Sequence, residues 1–168
     1  MNSIFETKAT ITVDESGEIA GLAWPFGSAD RVGDMIEKGA FANAMLPLPM
    51  LASHNPADVV GTWTHVEETA EGLQVKGKLL VGEVARAREL QALVNAGAIG
   101  GLSIGFTTKN SKIRAGGGRT ITALDLVEIS LVSIPCHPGA RIRKAKAAAN
   151  AIALAEAIQR AAAALSLR

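Results

Sequence analysis

Three polar side chains sit in segments that are otherwise small or apolar: His54 in SHNP, Ser103 in GGLSIGF and Glu128 in LDLVEISLVSIP. A serine, a histidine and a carboxylate are the set that acyl transfer needs. The hydroxyl attacks a carbonyl, the imidazole takes its proton, and the acid orients the imidazole. Each residue also has a plainer reading. His54 could be a base, a metal ligand, or a histidine satisfied by nearby backbone. A metal site needs about three compatible ligands, and His65 and His137 form no HExxH or HxH pattern with His54. Cys136 is a conceivable thiol nucleophile, but a single cysteine after a strand-ending proline is more often a small packed residue.

Glu128 poses the sharpest physical question. In a strand, Leu126, Glu128, Ser130, Val132 and Ile134 share one face, while Asp125, Val127, Ile129, Leu131 and Ser133 share the other. Both faces are largely apolar, so the strand is expected to be covered on both sides. A carboxylate there needs a partner. Two readings stay open: a structural ion pair with Arg86, Arg88, Arg114 or Arg119, and an orienting role on an imidazole. Around Ser103, the glycines Gly100, Gly101 and Gly105 keep the backbone bare. They could admit a substrate chain, and peptide N–H groups there could hold an oxyanion. A serine among glycines is by itself more often structural. Arg114, Arg119 and Arg141 are further oxyanion candidates, each more often a surface charge.

The elements that must position these residues are mostly strands. Ile4 to Val13 alternates apolar and polar residues, Asp14 to Gly17 reads as a turn, and Glu18 to Phe26 as a second strand. A loop from Ser28 to Asp34 leads to a short helix over Ala40 to Leu46, stopped by Pro47 and Pro49. Met50 to His54 is extended, with His54 at its end. Val59 to Val66 and Leu73 to Val81 read as paired strands. Glu83 to Ala96 is a helix with a stripe of Val84, Ala87, Leu90, Leu93 and Val94; Glu83 suits its N-terminus and Gly97 its C-terminal cap. Ile99 to Thr107 and Thr120 to Ile134 are strands flanking the loop Ala115 to Gly118. The tail from Lys144 is Ala-rich, with Leu154, Ile158, Ala161 and Leu165 at helical spacing.

Composition narrows the function classes. The chain has 168 residues, 48% of them hydrophobic, enough for one domain with its own core. A net charge of +1 offers no basic field for nucleic acid or anionic lipid. One cysteine excludes an internal disulfide and a Cys-rich zinc site, as in a reducing compartment. No signal peptide and no bilayer-spanning stretch is read. A cytoplasmic protein that binds neither membrane nor nucleic acid is expected, with no cofactor and no metal.

The segments in order resemble the prohead proteases of tailed phages, whose fold is related to the assemblin protease of herpesviruses. The resemblance runs from about Ile11 to Arg143 and rests on GLAWPFGSADRVGDMIEKGAF, MLASHNPADVVGTW, EGLQVKGKLL, ALVNAGAIGGLSIGF and LDLVEISLVSIPCHPGARI. Each motif is modest; the ordered set is specific. It implies a mainly β, α+β fold: an assemblin-like closed or partly closed antiparallel β-barrel flanked by a few helices. A protease domain over 1–143 and an Ala-rich helical tail over 144–168 are expected. The resemblance also implies a serine endopeptidase with Ser103 as nucleophile and His54 as base. It puts an acid at Glu128 where assemblins use a second histidine.

The substrates implied are the major capsid protein or scaffold, and the chain itself, with cleavage targets in its tail. A homodimer and a place inside the assembling prohead in the host cytoplasm are implied likewise. Two other classes compete. One is a non-catalytic prohead assembly or scaffold protein acting through its C-terminal helix. The other is a small barrel that binds a ligand or peptide without cleaving it.

Overall fold

The computed structural model describes residue 13, residues 15–143 and residues 145–165. Eight strands and two helices follow in the order β1 (Glu18–Pro25), β2 (Met35–Ile36), β3 (Leu48–Ala52), β4 (Asn55–Glu68), β5 (Gly72–Leu79), α1 (Ala85–Asn95), β6 (Gly101–Ile113), β7 (Arg119–Val132), β8 (Arg141–Arg143) and α2 (Ala145–Leu165). The sheet runs β2-β7-β3-β4-β5-β1-β8-β6, and a further β6–β7 pairing brings its ends together. Seven strands therefore close a barrel, with the short β2 added alongside β7. The ring is antiparallel apart from β3–β7, which is parallel, as is the added β2–β7 pair. Closure removes the exposed edges that an open sheet of this size presents.

Trp24, Trp63, Met50, Leu73, Leu79, Leu102, Ile129 and Leu131 are fully buried within the barrel core, and Ala87, Leu90 and Val94 of α1 pack against it. The Trp63 indole is satisfied there by donating to the Ile129 carbonyl at 2.9 Å. This donation ties β4 to β7 across the interior, beside the two β7 residues of the polar site.

Several local expectations need correcting. The segment Ala40 to Leu46 is a chain of turns, not a helix. Gly39 has φ of 98°, and Leu124 N–H takes the Ala40 carbonyl at 3.2 Å. What remains is a series of i→i+3 bonds, Ala40 to Glu37, Ala42 to Gly39 and Ala44 to Phe41, held from outside by the Glu68 carboxylate on the Gly39 and Phe41 amides. The helix α1 begins at Ala85 with Val84 at its N-cap, so Glu83 lies before it and no acid sits in its first turn. Its C-terminus does follow the expected pattern, with Gly97 at φ 76° and its amide on the Val94 carbonyl. Leu93 stays 38% exposed, leaving a narrower stripe than the spacing implied. The expected strand Ile4 to Val13 lies outside the described residues apart from Val13.

Candidate active site

The middle of the site is β7, with β6 on one side and β3 on the other. On β7, Ser130 lies opposite Ser103 of β6, and Glu128 lies opposite Gly105. Pleating puts these four positions on one face. His54 comes from the neighbouring connection. It does not end an extended segment as expected; Ala52 pairs with Asn55, and Ser53 and His54 form a two-residue turn with φ of 52° and 61°. Two positive φ values in a two-residue hairpin loop are the pattern of a type I′ turn, normally filled by Asn and Gly. Serine and histidine accept that backbone at some cost in strain. Pro56 does interrupt pairing: the register jumps from Ala52–Asn55 to Leu51–Val59.

The turn lays the His54 ring between the two strands. Its Nε2 is 2.8 Å from Ser103 Oγ, and its Nδ1 is 2.6 Å from Glu128 Oε1. A carboxylate on Nδ1 keeps the proton there and leaves Nε2 to accept from the serine hydroxyl. Ser103 is 5% exposed and Glu128 is 7% exposed, whereas the His54 side chain is 44% exposed. The hydroxyl and the acid are therefore shielded, and the imidazole faces solvent.

Glu128 makes no ion pair with the arginines proposed for it. Arg86 pairs with Asp58 and Glu89, Arg88 donates to the Val81 carbonyl, Arg114 to Gly117 within the β6–β7 turn, and Arg119 to Asp34. The second carboxylate oxygen instead accepts from Ser130 Oγ at 2.6 Å. The same Oγ accepts the His54 backbone N–H at 3.0 Å. Reading residues singly missed Ser130, although its place on the Glu128 face two residues away was visible in the alternation. Gly105 also has a different part from the one expected. A Cβ there would collide with the Glu128 carboxylate, so the missing side chain makes room for the acid. The bulge between Gly105 and Phe106 leaves Val127 53% exposed, so that face of β7 is not fully covered.

Beside Ser103 lies a small cavity of about 40 Å³, lined by Trp24, Asp30, Phe106, Cys136 and His137 among others. The Cys136 thiol donates to Asp30 at 3.2 Å, and burial together with that carboxylate pushes its pKa up. A thiol held protonated is a poor nucleophile. His137 accepts the Gly139 amide at Nδ1 and meets Ser28 through Nε2, with its ring edge-on to Trp24 at 4.9 Å. Burial lowers its pKa, so it is a neutral packed histidine. Arg141 donates to the Ala140 carbonyl. Among the described residues, no group of three or more His, Cys, Asp or Glu side chains could hold a metal.

Comparison with known proteins places the chain in a family. Residues 4–154 match the family described as Caudovirus prohead serine protease. The prohead protease of Enterobacteria phage HK97 is 32% identical over 152 residues, covering 86% of this chain and 67% of that one. The capsid polyprotein of Pseudomonas phage PAJU2 is 33% identical over 140 residues, 79% of this chain, but the match spans only 20% of the polyprotein. The KSHV protease, solved with a hexapeptide phosphonate inhibitor, superposes with a TM-score of 0.51 at 14% identity, over 74% of this chain and 63% of that one. This last likeness is one of fold.

Proposed function

The chain belongs to the caudovirus prohead serine protease family, and from that premise we propose that Ser103 is its nucleophile, His54 its general base and Glu128 the acid that orients His54. The observation that carries this reading is the unbroken line from Ser103 Oγ through both nitrogens of His54 to Glu128, at 2.8 and 2.6 Å. In the first step His54 Nε2 takes the Ser103 proton as Oγ attacks a peptide carbonyl. The resulting imidazolium is stabilised by the Glu128 carboxylate on Nδ1. Its Nε2 proton passes to the leaving amine, and an acyl-serine remains. Water then attacks the ester while His54 again takes the proton, and Ser103 recovers its own when the product acid departs.

The substrate follows from the family and from the polyprotein relative. A capsid or scaffold segment is cleaved during prohead maturation, inside the assembling particle in the host cytoplasm. The tail after Lys144 is a target of self-cleavage. Residues 1–143 form the protease unit and 144–168 an Ala-rich appendage that carries α2, and the active species is a homodimer. The non-catalytic scaffold reading leaves the Ser103–His54–Glu128 line without a purpose. A purified Ser103→Ala chain is expected to keep its full length under conditions where the wild type shortens itself. Shortening at the wild-type rate overturns both the nucleophile and the self-processing claims.

A further inference from the structure

We propose that Ser130 is a positioning residue of this site, a single hydroxyl that holds His54 and Glu128 in register with each other. The inference rests on the roles given above to Ser103, His54 and Glu128. Ser130 is 0% exposed. A serine at such a place can be mere filler, since alanine occupies nearly the same volume. What distinguishes this one is that the hydroxyl is used in both directions. It donates to Glu128 Oε2 at 2.6 Å and accepts the His54 backbone N–H at 3.0 Å.

The two bonds address two separate weaknesses of the site. The last torsion of a glutamate is broad, with no sharp staggered wells. A hydrogen bond at Oε1 alone would leave the plane of the carboxylate free to swing. A second bond at Oε2 fixes that plane and so aims Oε1 at His54 Nδ1. The other weakness is the turn. His54 has φ of 61°, an unfavourable backbone for a residue with a side chain. Its amide finds a partner on β7 in the Ser130 hydroxyl, while the Ser53 amide is held by the Leu131 carbonyl at 3.1 Å. His54 is thus gripped at its main chain by Ser130 and at its ring by Glu128, two residues apart on one strand. Ser130 also pairs across the sheet with Ser103 and Leu51, so the clamp sits midway between the nucleophile's strand and the histidine's.

The test uses the full chain and an alkyl fluorophosphonate, which phosphonylates an activated serine without needing the natural substrate. Ser130→Ala is expected to label about tenfold to a hundredfold more slowly, the scale of loss for small misplacements of reacting groups. The loss should fall on the inactivation step and leave the reversible binding constant of the reagent unchanged. Ser130→Cys, which keeps the size and a weak donor, should fall between the two. In a Glu128→Ala background the further loss from Ser130→Ala should be smaller than in the wild type, because the part that acts through the carboxylate is already gone and only the part that acts through the His54 amide remains. Labelling of Ser130→Ala within about twofold of wild type, or an equal loss in both backgrounds, overturns the proposal. If Ser130→Ala fails to fold by circular dichroism, Ser130→Cys carries the same comparison against the same two outcomes. Failure of the underlying reading looks different: Ser103→Ala or His54→Ala would then label at the wild-type rate, whatever the Ser130 variants do.

Discussion

At Gly105 the absent side chain matters more than any flexibility of its backbone. Its φ is not in the left-handed region, so alanine is allowed there by backbone alone, yet the added Cβ would strike the Glu128 carboxylate. Gly105→Ala is therefore expected to slow fluorophosphonate labelling of Ser103 by about a hundredfold while the circular dichroism spectrum of the barrel is unchanged. Wild-type labelling by this variant would mean that Glu128 is not needed in its present place. The same crowding explains why sequence reading caught Glu128 but misread Gly105. Alternation put the acid on a two-sided strand, but only the β6–β7 register puts the glycine opposite it. Cys136 was similarly legible as a choice between two fates, and the Asp30 contact together with burial decides for the inert one.

Among the elements, the turn at Ser53–His54 is the one whose local rule conflicts with its sequence. Type I′ geometry favours asparagine or glycine, and His54 is there for its ring. Ser53 has no such claim, since its amide carries its bond to Leu131. Ser53→Asn is expected to stabilise the chain by about 1 kcal/mol, because asparagine tolerates the left-handed region where serine does not. In a chain of this size that raises the melting temperature by roughly 3 °C, which scanning calorimetry can resolve. A fall in melting temperature would show that the serine side chain matters there. The other mismatch, Ala40 to Leu46, has the opposite cause. Its composition suits a helix, but Leu124 and Glu68 take the backbone groups that a helix would need. Both partners are far away in sequence, so no local pattern could reveal them. By contrast β1, β4, β5, β7 and α1 lie close to where their apolar runs and turn residues put them, although β1 and the end of β7 are buried on both faces and do not alternate.

For the whole molecule, acid sensitivity should come in two separable windows. Burial lowers the pKa of His137 from its ordinary 6.5. The unfolded chain therefore binds a proton there that the folded chain refuses, so this part of the stability is complete above pH 6.5 and declines as pH falls below it. His137→Gln is expected to flatten the dependence of denaturation midpoint on pH just below 6.5 relative to wild type. An unchanged slope would remove His137 from the account. The Glu71 carboxyl is held below its ordinary 4.5 by the hydrogen bond from Arg143, so its contribution is present above that value and is lost only at lower pH. That pair reaches across β1, from the residue just before β5 to the last residue of β8, and both partners lie before α2. On the helix α2, which lies against β1 and β5, Leu154 and Ile158 remain 64% and 61% exposed. A chain ending at Arg143 is accordingly expected to fold and to label at Ser103 at a rate near the wild-type rate; loss of cooperative unfolding would make α2 part of the protease unit.

The residue types available, the period of most elements and, through the order of the motifs, the family are all legible along the chain. So is the need of Glu128, on a strand apolar on both faces, for a partner. Which partner it found was settled in three dimensions, because three strands had to come into register before His54, Ser103 and Glu128 could meet. The space that Gly105 leaves for the carboxylate and the bridge that Ser130 makes between the turn and the acid arise in the same way. Those choices depend on cross-strand register and on a strained two-residue turn. Both are set by contacts between segments dozens of residues apart, which a one-dimensional pattern does not contain.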